Sequence, residues 1–251
     1  MEAVIRTEDL TMAFGGLLAV NGVSVDIKPN TLTSIIGPNG AGKTTFFNLI
    51  SGQLTPVRGK VFFKGKDITS LPVHSRARLG LGRCFQITNV FPRLTVLENV
   101  RLAVQAKAHL GYRPLTPAQR FRELEEKALE VLDTVGLTGK AGSLAVTLTH
   151  GDKRKLEIAI VLAMDPEVLL LDEPTAGISL EEVPAMIELL ERLKEKRDRT
   201  ILLVEHKMDM VLSLSDEILV MFNGTLLAQG LPEDIVRDER VQAAYLGGGV
   251  T

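Results

Sequence analysis

The 251-residue chain predicts an α/β fold built on a mainly parallel sheet with helices on both faces. Two observations carry this. Short apolar runs at Leu32–Ile36, Val168–Leu171 and Thr200–Val204 are each followed by a helical stretch, the pattern of a parallel sheet covered on both sides. A glycine-rich loop, Gly37–Thr44, also sits between the first of these strands and a helix candidate at Lys43–Ile50.

The elements follow in order. Val4–Arg6 and Val23–Ile27 read as strands, with Pro29-Asn30 as the turn into Leu32–Ile36. Gly59–Gly65 is a short strand bounded by glycines. From Pro117 the period becomes helical: Phe121, Leu124, Ala128, Leu129, Leu132 and Val135 share one face, opposite Arg122, Glu125, Glu126 and Glu130, until Gly136 stops the helix. Leu156–Met164 reads as a buried helix, and Pro166 introduces the strand Val168–Leu171. An amphipathic helix over Leu180–Lys196 leads to the strand Thr200–Val204. A short helix at Met208–Leu214, a strand at Glu217–Phe222, its hairpin partner Thr225–Ala228 and a helical tail at Pro232–Leu246 complete the chain, with Gly247–Gly249 expected to fray.

Composition narrows the function classes. The chain is 45% hydrophobic and 24% charged, with a net charge of -2, so no global basic field argues for nucleic acid as a partner. The single cysteine, Cys84, excludes an internal disulfide framework and reads as a small apolar filler. Glu2, Arg6, Glu8 and Asp9 leave no apolar signal core at the start. The longest apolar run, Ile158–Met164, falls far short of the roughly 18 to 20 residues that cross a bilayer. Work at a membrane would therefore require docking onto another subunit.

Gly37-Pro38-Asn39-Gly40-Ala41-Gly42-Lys43-Thr44 satisfies G-x-x-x-x-G-K-[ST] in full, and Thr45 follows it. Glycines let the backbone wrap until its N–H groups point inward at phosphate oxygens, and the helix start adds its dipole. Lys43 supplies a charge for the β- and γ-phosphates of ATP, and the Thr44 hydroxyl can ligate Mg²⁺. The flanking strand and helix separate this motif from a glycine-rich turn that merely precedes Lys-Thr.

A second motif ends the strand Val168–Leu171 in Asp172 and Glu173. Ligands of parallel sheets gather at the carboxyl ends of strands, so Asp172 is expected to hold Mg²⁺ and Glu173 to polarise an attacking water. The alternative is a pair of exposed loop acids. These two motifs alone would equally suit a kinase, a GTPase or a helicase.

Beyond them the sequence resembles the ATP-binding cassette (ABC) family nearly end to end. Phe14 stands where the family has an aromatic that stacks on adenine, although a phenylalanine after an apolar strand is more often core. Gln86 matches the Q-loop, where its amide oxygen could ligate Mg²⁺ and its NH₂ could orient water. Leu148-Thr149-His150-Gly151-Asp152 occupies the place of the Leu-Ser-Gly-Gly-Gln signature. His150 and Asp152 depart from the pattern, while Thr149 keeps a hydroxyl and Gly151 is retained. Ala176–Ser179 is similar to the D-loop, with serine where many members have aspartate, and His206 matches the switch histidine. His74, His109 and His150 form no metal-ligand spacing.

The resemblance implies a P-loop NTPase (RecA-like) core with a mainly parallel sheet, an N-terminal antiparallel β subdomain and a helical subdomain. Residues 1–90 and 160–230 would form the core, 91–159 the helical subdomain and 231–251 a helical tail. It also implies ATP and Mg²⁺ as cofactors, with Glu173, His206 and Gln86 catalytic. Phe14, the loop residues Gly37, Asn39, Gly40, Ala41, Gly42, Lys43, Thr44 and Thr45, and the signature's Thr149 and Gly151 would bind nucleotide. Thr44, Gln86 and Asp172 would hold the metal.

Phe14–Val20, Leu156–Ala159 and Ala244–Gly247 look like the ATP-binding subunits of branched-chain amino-acid importers, with a urea-type importer as a neighbour. Expected partners are transmembrane permease subunits, a second ATP-binding subunit forming a nucleotide sandwich, and a periplasmic or extracellular solute-binding protein. The place of work would be the cytoplasmic face of the membrane. Val90, Phe91 and Leu94, within Ile87–Leu97, are apolar candidates for the permease groove; their alternative is packing into the helical subdomain. A DNA-maintenance or translation ATPase would bring a coiled coil, zinc cysteines or a second cassette, and a small-molecule kinase would lack the signature segment and His206.

Overall fold

A computed structural model describes residues 2–84, 90–108 and 118–246. In chain order these carry β1 (Ile5–Phe14), β2 (Leu17–Ile27), β3 (Leu32–Ile36), α1 (Lys43–Ser51), β4 (Arg58–Phe63), β5 (Lys66–Asp67), α2 (Val73–Leu79) and β6 (Leu81–Cys84). There follow α3 (Val96–Lys107), α4 (Ala118–Thr134), α5 (His150–Leu162), β7 (Val168–Asp172), α6 (Val183–Glu195), β8 (Thr200–Val204) and α7 (Met208–Leu214). The chain closes with β9 (Glu217–Phe222), β10 (Thr225–Gly230), α8 (Pro232–Arg237) and α9 (Glu239–Leu246). None of these helices is long and apolar enough to cross a membrane.

Two sheets organise the molecule. A four-stranded sheet, β2-β1-β4-β5, is antiparallel throughout. The six-stranded sheet, β10-β9-β3-β8-β7-β6, is parallel except for β10. Side chains alternate across a strand, so each central strand feeds two cores. Leu169, Leu171, Ile201 and Leu203 face a cluster with Val100 of α3, Leu132 of α4, Leu156 of α5 and Leu189 of α6. Val168, Leu170, Leu202 and Val204 face the opposite cluster, with Phe46, Phe47 and Ile50 of α1 and Ile5, Ile27 and Val61 of the antiparallel sheet. A smaller cluster seats the tail: Ile235 and Val241 pack with Val211, Val220 and Ala228.

Several boundaries differ from expectation. Helix α5 begins six residues before Leu156, because the Thr149 side chain accepts from the Asp152 N–H at 3.2 Å and caps it at His150. Helix α6 starts at Val183 rather than Leu180, with a proline in its first turn. The tail forms two helices, since Asp238 takes an extended conformation between them. Strands β1 and β2 run longer than Val4–Arg6 and Val23–Ile27, joined by an irregular register.

Four elements were not anticipated, the shortest being the two-residue strand β5. Helix α2 and strand β6 lack the patterning that marks a helix or strand; Leu-Gly-Arg-Cys becomes a strand only by pairing with β7. Helix α3 did carry a legible signal. Thr95 and Glu98 form a capping box, with each side chain bonded to the other's backbone N–H. Cys84 is buried, and desolvation pushes its thiol up to about 12, opposed in part by Arg154, so it stays a neutral core residue.

Candidate active site

The carboxyl ends of β3, β7 and β8 converge on one cavity of about 590 Å³. Asn39, Gly40, Ala41, Gly42, Lys43, Thr44 and Thr45 form its floor, the β1–β2 hairpin supplies Phe14, Leu17 and Leu18, and Glu173 and His206 stand at one side. The loop's conformation depends on glycine at two positions. Gly37 has φ +148°, and a Cβ there would lie 2.1 Å from the Met221 carbonyl oxygen. Gly42 has φ +96°, and a Cβ would meet the Ala19 carbonyl oxygen at 2.2 Å.

Lys43 is buried, and its Nζ donates to the carbonyls of Gly37 at 2.7 Å and Pro38 at 3.0 Å. Burial draws its pKa down, while Glu173 and Asp172 push it back up. Phe14 is 49% exposed, so it is a wall residue of the cavity rather than core. Thr44 is exposed at the helix start.

Asp172 closes β7 and is buried, which raises its carboxyl pKa against the pull of Arg83. Its Oδ2 accepts from Arg83 Nη2 at 3.2 Å, whereas its Oδ1 is buried and, among the described residues, meets no hydrogen-bond partner. An orphaned carboxylate oxygen beside the phosphate loop suits a divalent cation, so Asp172 and the Thr44 hydroxyl fit as Mg²⁺ ligands. Gln86 lies outside the described residues.

Glu173 follows with φ +47°, unusual for a residue with a side chain, and its N–H donates to the Val204 carbonyl at 2.9 Å. Its Oε1 lies 2.8 Å from His206 Nε2. Buried Glu205 braces this pair by accepting from the Thr175 N–H and hydroxyl at 3.1 and 2.5 Å and from the His206 N–H at 2.9 Å. Sequence reasoning did not single out Glu205. Its signal was an acid ending an apolar strand, the same signal that marked Asp172.

Thr149 and Gly151 are not brought to this cavity. They sit at the start of α5 against Glu182, whose carboxyl is within 2.7 Å of where a Gly151 Cβ would be. The Thr149 hydroxyl holds the Glu182 pKa below the usual range, with help from the Ser179 and Gly151 N–H groups. Ser179 also donates to Glu182 from its hydroxyl at 3.3 Å.

Residues 20–176 match the family model described as "ABC transporter". The chain belongs to the ABC transporter family. This cassette therefore binds and hydrolyses ATP. Its tail, residues 225–251, matches the model described as "Branched-chain amino acid ATP-binding cassette transporter". It is 39% identical to the high-affinity branched-chain amino acid transport ATP-binding protein LivG of Escherichia coli (strain K12), over 98% of both chains. Among solved structures it resembles the ADP conformation of MJ1267, an ATP-binding cassette of an ABC transporter, with a TM-score of 0.84 and 31% identity, covering 98% of this chain and 100% of that one. It also resembles a dimeric post-hydrolysis state of the cassette MJ0796 bound to ADP and Pi, with a TM-score of 0.75 and 26% identity over 91% of this chain and 98% of that one.

Two further residues of the cassette escaped sequence reasoning. Arg83 reaches from β6 to Asp172 and to Ser51 Oγ at 2.5 Å, with its guanidinium 5.0 Å above the Phe47 ring. It thereby joins the phosphate-loop helix to the end of β7. Tyr245 of α9 approaches the Gly37 backbone, which opposes the rise that burial gives its phenol pKa. The tail thus lies near the first residue of the phosphate loop. Neither contact has a local signature, since each joins residues remote in sequence.

Proposed function

We propose that this cassette is the ATP-hydrolysing subunit of an importer for branched-chain or related amino acids, working with permease subunits at the cytoplasmic face of the membrane. The observation that carries the cargo class is the likeness to LivG along nearly the whole chain, including the separately matched tail. Within the site, loop N–H groups, Lys43 and Thr44 hold the phosphates, Phe14 and Leu18 flank the base, and Thr44, Asp172 and Gln86 hold Mg²⁺. When bound, Mg²⁺ offsets the charge on the transferring phosphoryl group. Glu173 polarises the attacking water and His206 contacts the γ-phosphate, each orienting the other through their hydrogen bond.

Thr149 and Gly151 stand outside the lining of this cavity, which supports a sandwich in which they close over nucleotide held by a second ATP-binding subunit. The dimeric state described for MJ0796 supports pairing of two cassettes. A solute-binding protein would deliver cargo on the far side. The test is reconstitution with permease subunits and a solute-binding protein of branched-chain amino-acid type from the same genome. Leucine should drive both ATP hydrolysis and uptake into vesicles. Stimulation by urea and not by leucine would replace the cargo class, and failure to co-purify with any membrane subunit would remove the importer reading.

Docking has a specific candidate in Phe91. Val90 packs against the helical core, but Phe91 is 59% exposed. Asn99 pins it outward, accepting from the Phe91 N–H at 2.8 Å and donating to its carbonyl at 3.1 Å. Phe91→Glu should reduce uptake about tenfold or more and leave the ATPase rate of the isolated cassette within about twofold, the signature of a lost apolar anchor. Normal uptake by that variant in vesicles would exclude Phe91 from the docking surface.

A further inference from the structure

Helix α5, which begins at the signature, carries a buried ion pair that the roles above do not use. Arg154 and Glu157 are both nearly inaccessible, and Arg154 Nη1 donates to Glu157 Oε2 at 2.7 Å. A buried pair of this kind is often matched or bettered by apolar side chains of similar volume, so stability alone is a weak reason for it. Its geometry supplies another. Arg154 Nη2 donates to the backbone carbonyl of Asp172 at 2.5 Å and lies 3.4 Å from that of Glu173.

These carbonyls sit where the sheet ends. Asp172 is the last residue of β7 paired with β8, so the carbonyls beyond it depend on partners outside the ladder. The Glu173 N–H is held by β8, its carboxylate by His206, and the Asp172–Glu173 peptide by Arg154. Glu173 has a left-handed backbone, a conformation that persists only where its surroundings over-determine it. Between α5 and this turn lies a cavity of about 250 Å³ lined by His150, Lys153, Arg154, Glu157, Glu173 and Ala176, among others. Arg154 bridges from the helix to the turn beside that space.

We propose that Arg154, held by Glu157, is a positioning residue that sets the direction of Glu173 from the signature helix. Movement of α5 is thereby transmitted to the carboxylate through two backbone carbonyls. The inference rests on Glu173 acting on the attacking water.

The decisive variant is Arg154→Met with Glu157→Leu, which removes the charges together and keeps the volume. ATP affinity, measured with a fluorescent analogue, and KM should stay within about twofold, with kcat falling about tenfold or more. Arg154→Lys, which cannot reproduce the planar fork, should fall between the two. In single-turnover reactions the loss should not multiply with that of Glu173→Gln, because both act through one carboxylate. A kcat within twofold of wild type, multiplying losses, or a drop in kcat accompanied by lost ATP affinity and a collapsed Tm would each overturn the proposal. Wild-type turnover by Glu173→Gln alone would instead remove the underlying role of Glu173, and that result is read independently of Arg154.

Discussion

Glu173→Gln should lower ATP turnover about 10²- to 10⁴-fold while leaving ATP affinity within about twofold, the pattern of a lost general base. The amide retains the size of the side chain and a partner for His206, which now meets Glu173 at 2.8 Å. It removes the basic oxygen that would polarise water. Binding should be spared because the loop N–H groups and Lys43 that would hold the phosphates stay in place, although Lys43 loses the attraction of the Glu173 charge. In the proposed sandwich, blocked hydrolysis would leave ATP bridging two cassettes, so gel filtration with ATP should show a dimer more abundant for the variant than for the wild type. Phosphate release at the wild-type rate would take Glu173 out of the chemistry. Lost nucleotide binding would instead show that the residue shapes the cavity.

Arg76→Ala should destabilise the fold by about 3 to 5 kcal/mol, the range for breaking a buried charged network, or roughly 6 to 20 °C in Tm for a chain of this size. Arg76 is the largest fully buried side chain among the described residues. Its guanidinium donates to the carbonyls of Leu71 at 2.9 Å, Leu49 at 2.7 Å, Ile50 at 2.7 Å and Thr69 at 2.8 Å. Leu49 and Ile50 close α1, whose last carbonyls have no partner within the helix. Arg76 thus caps, from α2, the helix that begins at Lys43. Burial lowers its pKa to about 10, still high enough for it to remain charged near neutrality. Among the described residues, alanine would leave the buried Ile50 carbonyl without this donor and the Leu49 carbonyl with only the long 3.3 Å bond from the Gly52 N–H. Arg76→Lys should recover only part of the loss, because an ammonium cannot span two separate pairs of carbonyls. Scanning calorimetry checks both, and a change in Tm below about 2 °C for Arg76→Ala would refute the capping role.

The parts of this cassette that were readable from the chain share one property: their geometry is local. The phosphate loop needs only a short run of residues whose φ angles glycine permits, placed between a strand and a helix, and Gly37–Thr44 carries all of that in consecutive positions. The buried strands β3, β7 and β8 are likewise marked by their own residues, and Asp172, Glu173 and His206 follow from where such strands end. Strand β6 was not readable, because Leu-Gly-Arg-Cys becomes a strand only beside β7. The start of α5 was missed because Gly151 and charged residues conceal a helix that Thr149 caps. The capping box at Thr95 and Glu98 was present and unread.

The supporting shell of the site is a different matter. Arg83 and Asp172 are 89 positions apart, Arg76 and Leu49 27, and Arg154 and Asp172 18. Which carbonyl or carboxylate each arginine meets depends on how sheet and helices pack, and nothing in the neighbouring residues encodes it. By itself, then, the sequence determined that this chain holds ATP phosphates and which acids stand beside them, because backbone conformation and strand ends are set by nearby residues. Only the tertiary structure decided that Thr149 and Gly151 lie apart from that cavity, that Arg83 and Arg154 grip the two sides of Asp172, and that Arg76 secures the far end of the phosphate-loop helix from a distant element. Those are packing contacts, and their partners are chosen by the whole fold.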